Sequence, residues 1–347
     1  MSKYVLFCLE KVYIFVLKYE SDSYGRAKTK MANNTQPYAL VFGVSVFDIF
    51  GFTHNNYRCN DSNPGKVKTS FGGVCRNIAE NMARVGINTK FISILGDDET
   101  GRRMMEHSKV MNYDMQDSLI IKGESTPTYM AVLNHEGELE SAVVDMKITD
   151  MFTTEFIDSK ADIIRNSEYM FLDSDKPDIL EYILKTFKDE TKFVLDPVSA
   201  CKAKNIKHLI KYFHTIKPNR YEAEIMCGFE IKSEEDLRRA GKYFIDLGIE
   251  NVFISLDEDG IYYNNGVEEG TIKANNVPVV NVTGAGDSFV AGLGYGYMKN
   301  IKLKDTVKYA VAMSVLTIAH EETIHPEMND AIVLEYVEKL DWTEKEY

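Results

Sequence analysis

A short glycine-rich stretch that ends in an acidic residue has the residue types for chemistry on a phosphate. It is Thr283-Gly284-Ala285-Gly286-Asp287, and small and apolar residues without a proline follow it as far as Met298. Glycines let backbone N–H groups approach an anion closely, and the first N–H groups of a helix are unpaired and lie at its positive end. Asp287 adds a carboxylate there, and the helix field favours its ionised form. A base beside a bound phosphate predicts phosphoryl transfer to a hydroxyl, and a glycine turn with a helix-capping Asp is the alternative.

The elements that must position this loop alternate between strands and helices. Residues 277–280 predict extended backbone ahead of it, and the helix is expected to open at Gly284 to Gly286. Residues 39–46 form a continuous apolar run, which predicts one buried strand of a mainly parallel sheet. Asp48 stands just past that run, where a carboxylate at the mouth of a sheet can accept two sugar hydroxyls. A turn aspartate is the alternative reading of Asp48.

A second glycine pair, Gly72-Gly73, precedes a predicted helix. The apolar residues of this helix repeat at spacings of four and three and give one buried stripe, formed by Val74, Ile78, Met82 and Val85. Arg76 and Asn77 lie off that stripe. The Asn77 amide can both donate to and accept from a ribose or a base, whereas Arg76 either contacts a carbonyl group or is an exposed helix arginine.

The middle of the chain breaks the alternation of strands and helices. Residues 89–95 predict one more strand, and the acidic residues of 96–101 are expected to be solvated helix caps. Residues 119–121, 128–133 and 138–144 are then consecutive predicted strands, with a hairpin turn at 135–137. Strands without intervening helices predict a separate small sheet.

Asn219 and Glu222 lie three residues apart at the start of a later predicted helix. At this spacing the two side chains can share one face, and the same spacing is that of a capping box with Asn219 as the N-cap.

The two glycine motifs together resemble the signatures of a known family. Residues 283–287 with Phe289 and Gly292, and the segment 71–86 that contains Arg76-Asn77, resemble the PfkB or ribokinase-like carbohydrate kinases. The resemblance covers residues 37–335. It implies an α/β protein with a ribokinase-like three-layer α/β/α sandwich and a small β-sheet lid, whose strands are expected within residues 44–70 and 119–145. Within the family, the Arg-Asn pair is most similar to pseudouridine kinases.

The resemblance also implies an activity and a role for each candidate residue. The expected reaction is the ATP-dependent phosphorylation of a sugar hydroxyl, specifically the 5′-hydroxyl of pseudouridine. Ribokinase, adenosine kinase or another nucleoside kinase, and a non-catalytic nucleoside sensor, are the alternatives. The implied roles are Asp287 as general base; Gly284, Ala285 and Gly286 as anion hole; Asp48, Gly72, Gly73, Arg76, Asn77, Thr126 and Thr128 as acceptor contacts; Asn219 and Glu222 as Mg²⁺ contacts; and Thr283, Gly284, Gly286, Asn219 and Ser314 as nucleotide contacts. A monovalent-cation contact is implied near residues 323–326, where this sequence has His325 instead of the expected asparagine.

Composition limits the partners. A net charge of −13 over 347 residues argues against nucleic-acid and anionic-membrane binding, which need a basic face. The five cysteines have no CxxC spacing, which indicates reduced thiols and a cytoplasmic protein. Residues 1–36 are expected to be an extension or linker, because the first predicted strand begins near Tyr38 and residues 33–37 are polar. The apolar stretch 4–17 is too short to span a bilayer. Residues 336–347 are expected to be a tail, and a homodimer through the lid is expected because small exposed sheets often pair at an edge.

Overall fold

The computed structural model describes residues 36–347, and the N-terminal segment 1–35 lies outside the described residues. In chain order the strands are β1 (Ala39–Phe42), β2 (Val46–Thr53), β3 (Gly65–Gly72), β4 (Thr89–Ile92), β5 (Ile94–Gly96), β6 (Tyr113–Asp114), β7 (Leu119–Ile121), β8 (Thr128–Leu133), β9 (Leu139–Asp145), β10 (Tyr169–Leu172), β11 (Lys192–Leu195), β12 (Thr215–Ile216), β13 (Asn251–Ser255), β14 (Ile261–Asn264), β15 (Glu269–Ala274) and β16 (Trp342–Glu346). The α-helices are α1 (Val74–Arg84), α2 (Glu99–Val110), α3 (Thr154–Ser159), α4 (Ala161–Asn166), α5 (Pro177–Phe187), α6 (Ala200–Ile206), α7 (Arg220–Cys227), α8 (Glu234–Asp246), α9 (Ala285–Met298), α10 (Leu303–Ile318) and α11 (Asp330–Lys339).

A ten-stranded sheet forms the centre of the fold, in the order β16-β15-β14-β13-β12-β11-β10-β1-β4-β6. The strands from β13 to β6 are parallel, and β14, β15 and β16 add an antiparallel edge. Along β1, Leu40 and Phe42 pack into a core with α5 to α8, whereas Ala39 and Val41 pack into a core with α1, α9 and α10. Because both faces are covered by helices, the strand is apolar at every position. The predicted three-layer α/β/α sandwich is confirmed.

A separate four-stranded sheet, in the order β3-β2-β8-β9, forms the lid. Strand β2 pairs antiparallel with β3 and parallel with β8, and β8 and β9 form a hairpin. The backbone N–H of Asn134 closes its turn by donating to the Glu138 carbonyl at 2.9 Å. Residues 119–121 do not join this sheet, because β7 pairs with β5 in a two-stranded sheet of its own.

Three strand predictions are corrected by the structure. Residues 39–46 are not one strand, because the chain leaves the main sheet after Phe42 and enters the lid at Val46; Asp48 therefore lies inside β2 and not past a strand end. Residues 89–95 divide into β4 and β5, which belong to different sheets. Residues 277–280 form no strand, since Pro278 has no N–H to donate and Val279 and Val280 are exposed.

The last residues of the chain belong to the main sheet. Residues 336–347, expected to be a tail, contain the end of α11 and the edge strand β16, which pairs with β15 from Gly270↔Glu346 to Ala274↔Trp342. The Trp342 indole N–H donates to the Val337 carbonyl at 3.0 Å and ties the strand to the helix. Across residues 36–347, none of the helices has the length and apolar character that a membrane span requires.

Candidate active site

The residues predicted to form an anion hole lie at the start of α9. Gly284 is the N-cap with φ 83°, and a Cβ at this position would lie 2.2 Å from the Thr323 carbonyl oxygen, so only glycine fits. The N–H groups of Gly286 and Asp287 precede the first helical bond, which runs from the Ser288 N–H to the Gly284 carbonyl. The Ala285 N–H already donates to the Val282 carbonyl at 3.3 Å. The amides of Gly286 and Asp287 are therefore the better placed anion donors.

Asp287 follows Gly286 in the first turn of α9, and its side chain faces α1. Its Oδ2 accepts a hydrogen bond of 2.8 Å from the Asn77 amide, so the structure brings these two predicted residues together. Burial, and then the negative charge of Asp196, raise the pKa of Asp287 to about 7, against the opposing effects of Asn77, Lys217 and Arg76. The start of the helix favours the ionised form of this carboxyl, and burial opposes it. A carboxyl that titrates near neutral pH is well matched to a general base.

Two charged residues that the sequence reasoning missed complete this region. Asp196 and Lys217 follow the parallel strands β11 and β12 directly, and both are buried. The Lys217 Nζ lies 3.2 Å from Asp196 Oδ2, and a Cβ on Gly286 would lie 2.7 Å from the same Nζ. An ammonium group therefore stands beside the anion hole. The signal that could have found both residues is their place directly after a buried strand, the reasoning applied above to Asp48.

Asn219 and Glu222 form the capping box of α7. The Asn219 Oδ1 accepts from the Glu222 N–H at 2.9 Å, and the Glu222 Oε2 accepts from the Asn219 N–H at 2.8 Å. Burial, and the charge of Asp196, raise the pKa of Glu222. Within residues 36–347, no group of three or more His, Cys, Asp or Glu side chains is arranged to hold a metal ion. The second oxygen of Glu222 and the Asp196 carboxylate are nonetheless oxygen ligands of the type that Mg²⁺ prefers, and this ion keeps several waters and needs few protein ligands.

The predicted acceptor contacts at Asp48 and Gly72 lie at the junction of lid and helix. The Gly72 backbone lies against the Asp48 carboxylate, with 2.1 Å between Oδ2 and the position a Cβ would take. Burial raises the pKa of Asp48 to about 6, although Arg76 opposes the shift. Gly73 is the N-cap residue of α1, and Arg76 and Asn77 lie in the first turn of this helix.

Arg76 is not an exposed helix arginine. Its side chain is only 8% exposed and forms an ion pair with Glu80, which in turn binds Arg84 and His107. Burial disfavours the charge of Glu80, but the hydrogen bond from His107 and the charges of Arg76, His107 and Arg84 outweigh it and lower the pKa of Glu80 to about 2.

The structure uses several predicted contact residues for internal bonds. The Thr126 hydroxyl donates to Asp98 Oδ1 at 2.7 Å, and the Thr128 hydroxyl donates to the Thr126 carbonyl at 2.9 Å. Asp98, predicted to be a solvated cap, thus caps α2 and also fixes the segment ahead of β8.

Two predicted nucleotide contacts are also engaged within the protein. The Ser314 hydroxyl donates to the Ala285 carbonyl at 2.8 Å and joins α10 to the start of α9. The Thr283 N–H donates to Asn281 Oδ1 at 3.0 Å. Near the predicted cation contact, the rings of His320 and His325 lie 5.1 Å apart.

A buried carboxyl, Asp173, is a further acceptor candidate that sequence reasoning did not single out. It follows β10 directly and lies under Gly43, where a Cβ would come within 2.6 Å of Asp173 Oδ2 and 2.5 Å of the Cys75 sulfur. Burial, and the charge of Asp175, raise the pKa of Asp173 to about 7. A carboxyl of this kind both donates and accepts near neutral pH, which suits a sugar hydroxyl.

An open cleft of about 1280 Å³ separates the lid edge from the segment 319–324. Phe50, Phe52 and Phe71 contribute aromatic surface on the lid side, and Arg76 lies among its polar lining residues. The Lys68 ammonium on β3 lies 3.8 Å from Glu321 across the cleft. The lid and the loop beside the anion hole are therefore in direct contact.

Comparisons with known proteins agree with this fold. The model of the pfkB family of carbohydrate kinases matches residues 36–330, and the chain belongs to this family. Pseudouridine kinase from Escherichia coli (strain K12) is 31% identical over 306 residues, which cover 88% of this chain and 97% of the relative. A solved structure described as a suspected sugar kinase from Clostridium perfringens is 61% identical, covers 90% of this chain and 99% of its own, and superposes with a TM-score of 0.87. The ribokinase from Arabidopsis thaliana, solved with ribose and ATP, has a TM-score of 0.75 at 19% identity over 87% of this chain and 99% of its own, and shows the shared fold.

Proposed function

We propose that this chain phosphorylates the 5′-hydroxyl of pseudouridine with ATP. Its family makes it a carbohydrate or nucleoside kinase that transfers a phosphoryl group to a hydroxyl acceptor. The choice of pseudouridine is supported by the 31% identity to a pseudouridine kinase over 88% of the chain. The Arg76-Asn77 pair supports it further, since both side chains are buried beside the proposed catalytic base and not on the surface.

The observation that carries the catalytic proposal is the position of Asp287. Its carboxyl titrates near pH 7, holds a hydrogen bond to Asn77, and begins a helix whose free N–H groups lie beside Lys217. In the proposed reaction Asp287 takes the proton from the acceptor hydroxyl as its oxygen attacks the γ-phosphorus of ATP. The bond from that phosphorus to the bridging oxygen breaks, and ADP leaves. The Gly286 and Asp287 N–H groups and the Lys217 ammonium stabilise the negative charge on the transferred group.

The other carboxyls of the site have proposed binding roles. Asp48 and Asp173 flank the start of α1 and accept or donate hydrogen bonds to ribose hydroxyls. Asp196 and Glu222 are the proposed Mg²⁺ ligands, Glu222 through Oε1, which the capping box does not use, and the ion when bound would neutralise phosphate charge. Asp196 also holds Lys217 in place, with 3.2 Å between Nζ and Oδ2.

The test is ADP release from ATP and Mg²⁺ with five acceptors in parallel: pseudouridine, uridine, ribose, adenosine and fructose. Uridine is the sharpest control, because it carries the same hydroxyl groups and differs in the bond that joins base to sugar. We expect strong turnover with pseudouridine alone. Turnover with another acceptor would keep the mechanism and overturn the substrate, and no turnover with any acceptor would favour a nucleoside sensor.

A further inference from the structure

A buried ionic cluster on α1 lies next to the proposed catalytic base, and its central carboxylate has no role in the proposed reaction. Glu80 is at its centre, with a side chain that is 2% exposed. The Glu80 Oε2 binds Arg76 and lies 2.8 Å from His107 Nε2, and its Oε1 accepts from Arg84 at 2.9 Å. Both oxygens of this carboxylate are therefore held by cationic or hydrogen-bonding partners from α1 and α2.

An unbroken series of hydrogen bonds joins Glu80 to Asp287. Arg76 Nη2 donates to Glu80, and Arg76 Nη1 donates to Asn77 Oδ1 at 2.8 Å and to the Phe71 carbonyl at 2.7 Å. The other end of the same amide, Asn77 Nδ2, donates to Asp287 Oδ2 at 2.8 Å. Arg76 thus links Glu80 to the amide that touches the base.

The direction of the Asn77 amide matters because its two ends have almost the same shape and opposite hydrogen-bonding character. A guanidinium group can only donate, so Arg76 requires the amide oxygen to face it. The NH₂ end must then face Asp287. A rotated amide would place its oxygen against the carboxylate, which favours the protonated form of Asp287.

We propose that Glu80 is a positioning residue for the catalytic base, which acts by holding Arg76 so that the Asn77 amide donates to Asp287. This role rests on the proposed function of Asp287. A hydrogen bond donated to a carboxylate favours its ionised form. The cluster therefore keeps Asp287 ionised at a lower pH than its half-buried site would otherwise allow.

The direction in which the pKa of Asp287 changes when Glu80 is replaced separates this role from a purely electrostatic influence of Glu80. The charged groups that face Asp287 are Asp196, Lys217 and Arg76. Those that face Glu80 are Arg76, Arg84 and His107, and the Tyr113 hydroxyl forms a hydrogen bond with Arg76. Removing the negative charge of Glu80 by itself would lower the pKa of Asp287, whereas releasing the Asn77 amide would raise it.

Glu80→Gln is the primary variant. A glutamine keeps the shape but offers one oxygen to three donors, and its NH₂ group opposes the guanidinium groups, so Arg76 is no longer held. Arg76→Lys is the second variant, because it keeps the positive charge but has no planar fork to bind Glu80 and Asn77 together. Glu106→Gln is the matched control, since it removes an exposed acidic charge from the neighbouring helix α2.

The readout is the pH profile of kcat/KM, which reports the ionisation of the free enzyme, measured from pH 5 to pH 9. We expect the apparent pKa of the acidic limb to increase by about one unit in both variants. This shift corresponds to a loss of about tenfold in kcat/KM at pH 6 that disappears at pH 9. Glu106→Gln should leave the profile unchanged. A lower apparent pKa of the acidic limb in Glu80→Gln, or an unchanged one in a folded Arg76→Lys protein, would overturn the positioning role.

The same pKa can be read without turnover. Asp287→Asn is made in the unsubstituted protein and in each variant, and the free energy of unfolding is compared with and without it. This difference changes with pH up to the pKa of the folded Asp287 and then becomes constant, so the pH at which it becomes constant gives that pKa. The positioning role requires this pH to move upward by about one unit in the Glu80→Gln and Arg76→Lys backgrounds. An unchanged pH contradicts it. Absence of turnover in the unsubstituted enzyme would instead count against the proposed function.

Discussion

Asp287→Asn should make the protein more stable above pH 7. The substitution keeps the shape of the side chain and removes its charge. In the folded chain the pKa of Asp287 is raised to about 7 from 3.8. Between these two values the unfolded chain releases its proton and the folded chain keeps it, so the unsubstituted protein loses stability as pH rises from about 4 to 7. Above pH 7 both states are ionised and the full cost of the buried charge remains.

The magnitude follows from the size of the shift. Three pKa units correspond to about 4 kcal/mol, which is an upper limit. Asp287 is partly exposed, and asparagine loses the charge-assisted bond from Asn77, so we expect a net gain of about 2 kcal/mol at pH 8. The gain should shrink towards pH 5, where the folded carboxyl is protonated and costs little.

Urea unfolding at pH 5 and pH 8 measures this difference. Asp305→Asn is the matched control, because Asp305 is an exposed acid in the first turn of α10. It should bring no gain at either pH. A gain for Asp287→Asn that is equal at both pH values, or a loss at pH 8, would show that the site does not raise the pKa of Asp287.

Two further outcomes follow from the contacts around the anion hole and the lid. Gly286→Ala places a methyl group 2.7 Å from Lys217 Nζ, which can move aside because it is the end of a flexible side chain. We therefore expect a protein that is folded by circular dichroism and whose turnover, measured as ADP release, is at least about tenfold lower. Unchanged turnover would remove Lys217 and Gly286 from the site. One face of the lid exposes apolar surface at Val67, Met130 and Val143. We therefore expect sedimentation analysis to show a dimer that Val143→Lys converts to a monomer. A monomeric unsubstituted protein would contradict pairing through the lid.

The fold was predictable where local pattern decides the structure. The strands predicted at residues 128–133 and 138–144 and the glycine start of α9 appear in the structure as the sequence predicts. The prediction of a single strand at residues 39–46 was wrong, because one apolar segment can contribute to two sheets in succession. Periodicity does not show where the chain crosses from one sheet to the other. The exposed prolyl segment 277–280 misled for a related reason, since valine-rich sequence favours a strand only when a partner strand is available.

The candidate site was predictable in its motifs and not in its electrostatics. Asp287 and Asn77 are 210 residues apart, and their contact depends on how α1 and α9 pack. The burial of Arg76 depends on Glu80, one turn along the same helix, and on His107 from α2. Lys217 and Asp196 approach the anion hole through the order of β11 and β12 in the sheet, which sequence spacing does not encode.

The most direct test of the account is the turnover of Asp287→Asn with the acceptor that the unsubstituted protein uses best. As the general base, Asp287 supplies proton transfer only as the acceptor attacks, so kcat should fall by at least about 100-fold while KM for the acceptor changes little. Asp305→Asn, made and assayed in parallel, should retain full turnover. Near-normal turnover of Asp287→Asn would contradict the assignment of Asp287 as the catalytic base.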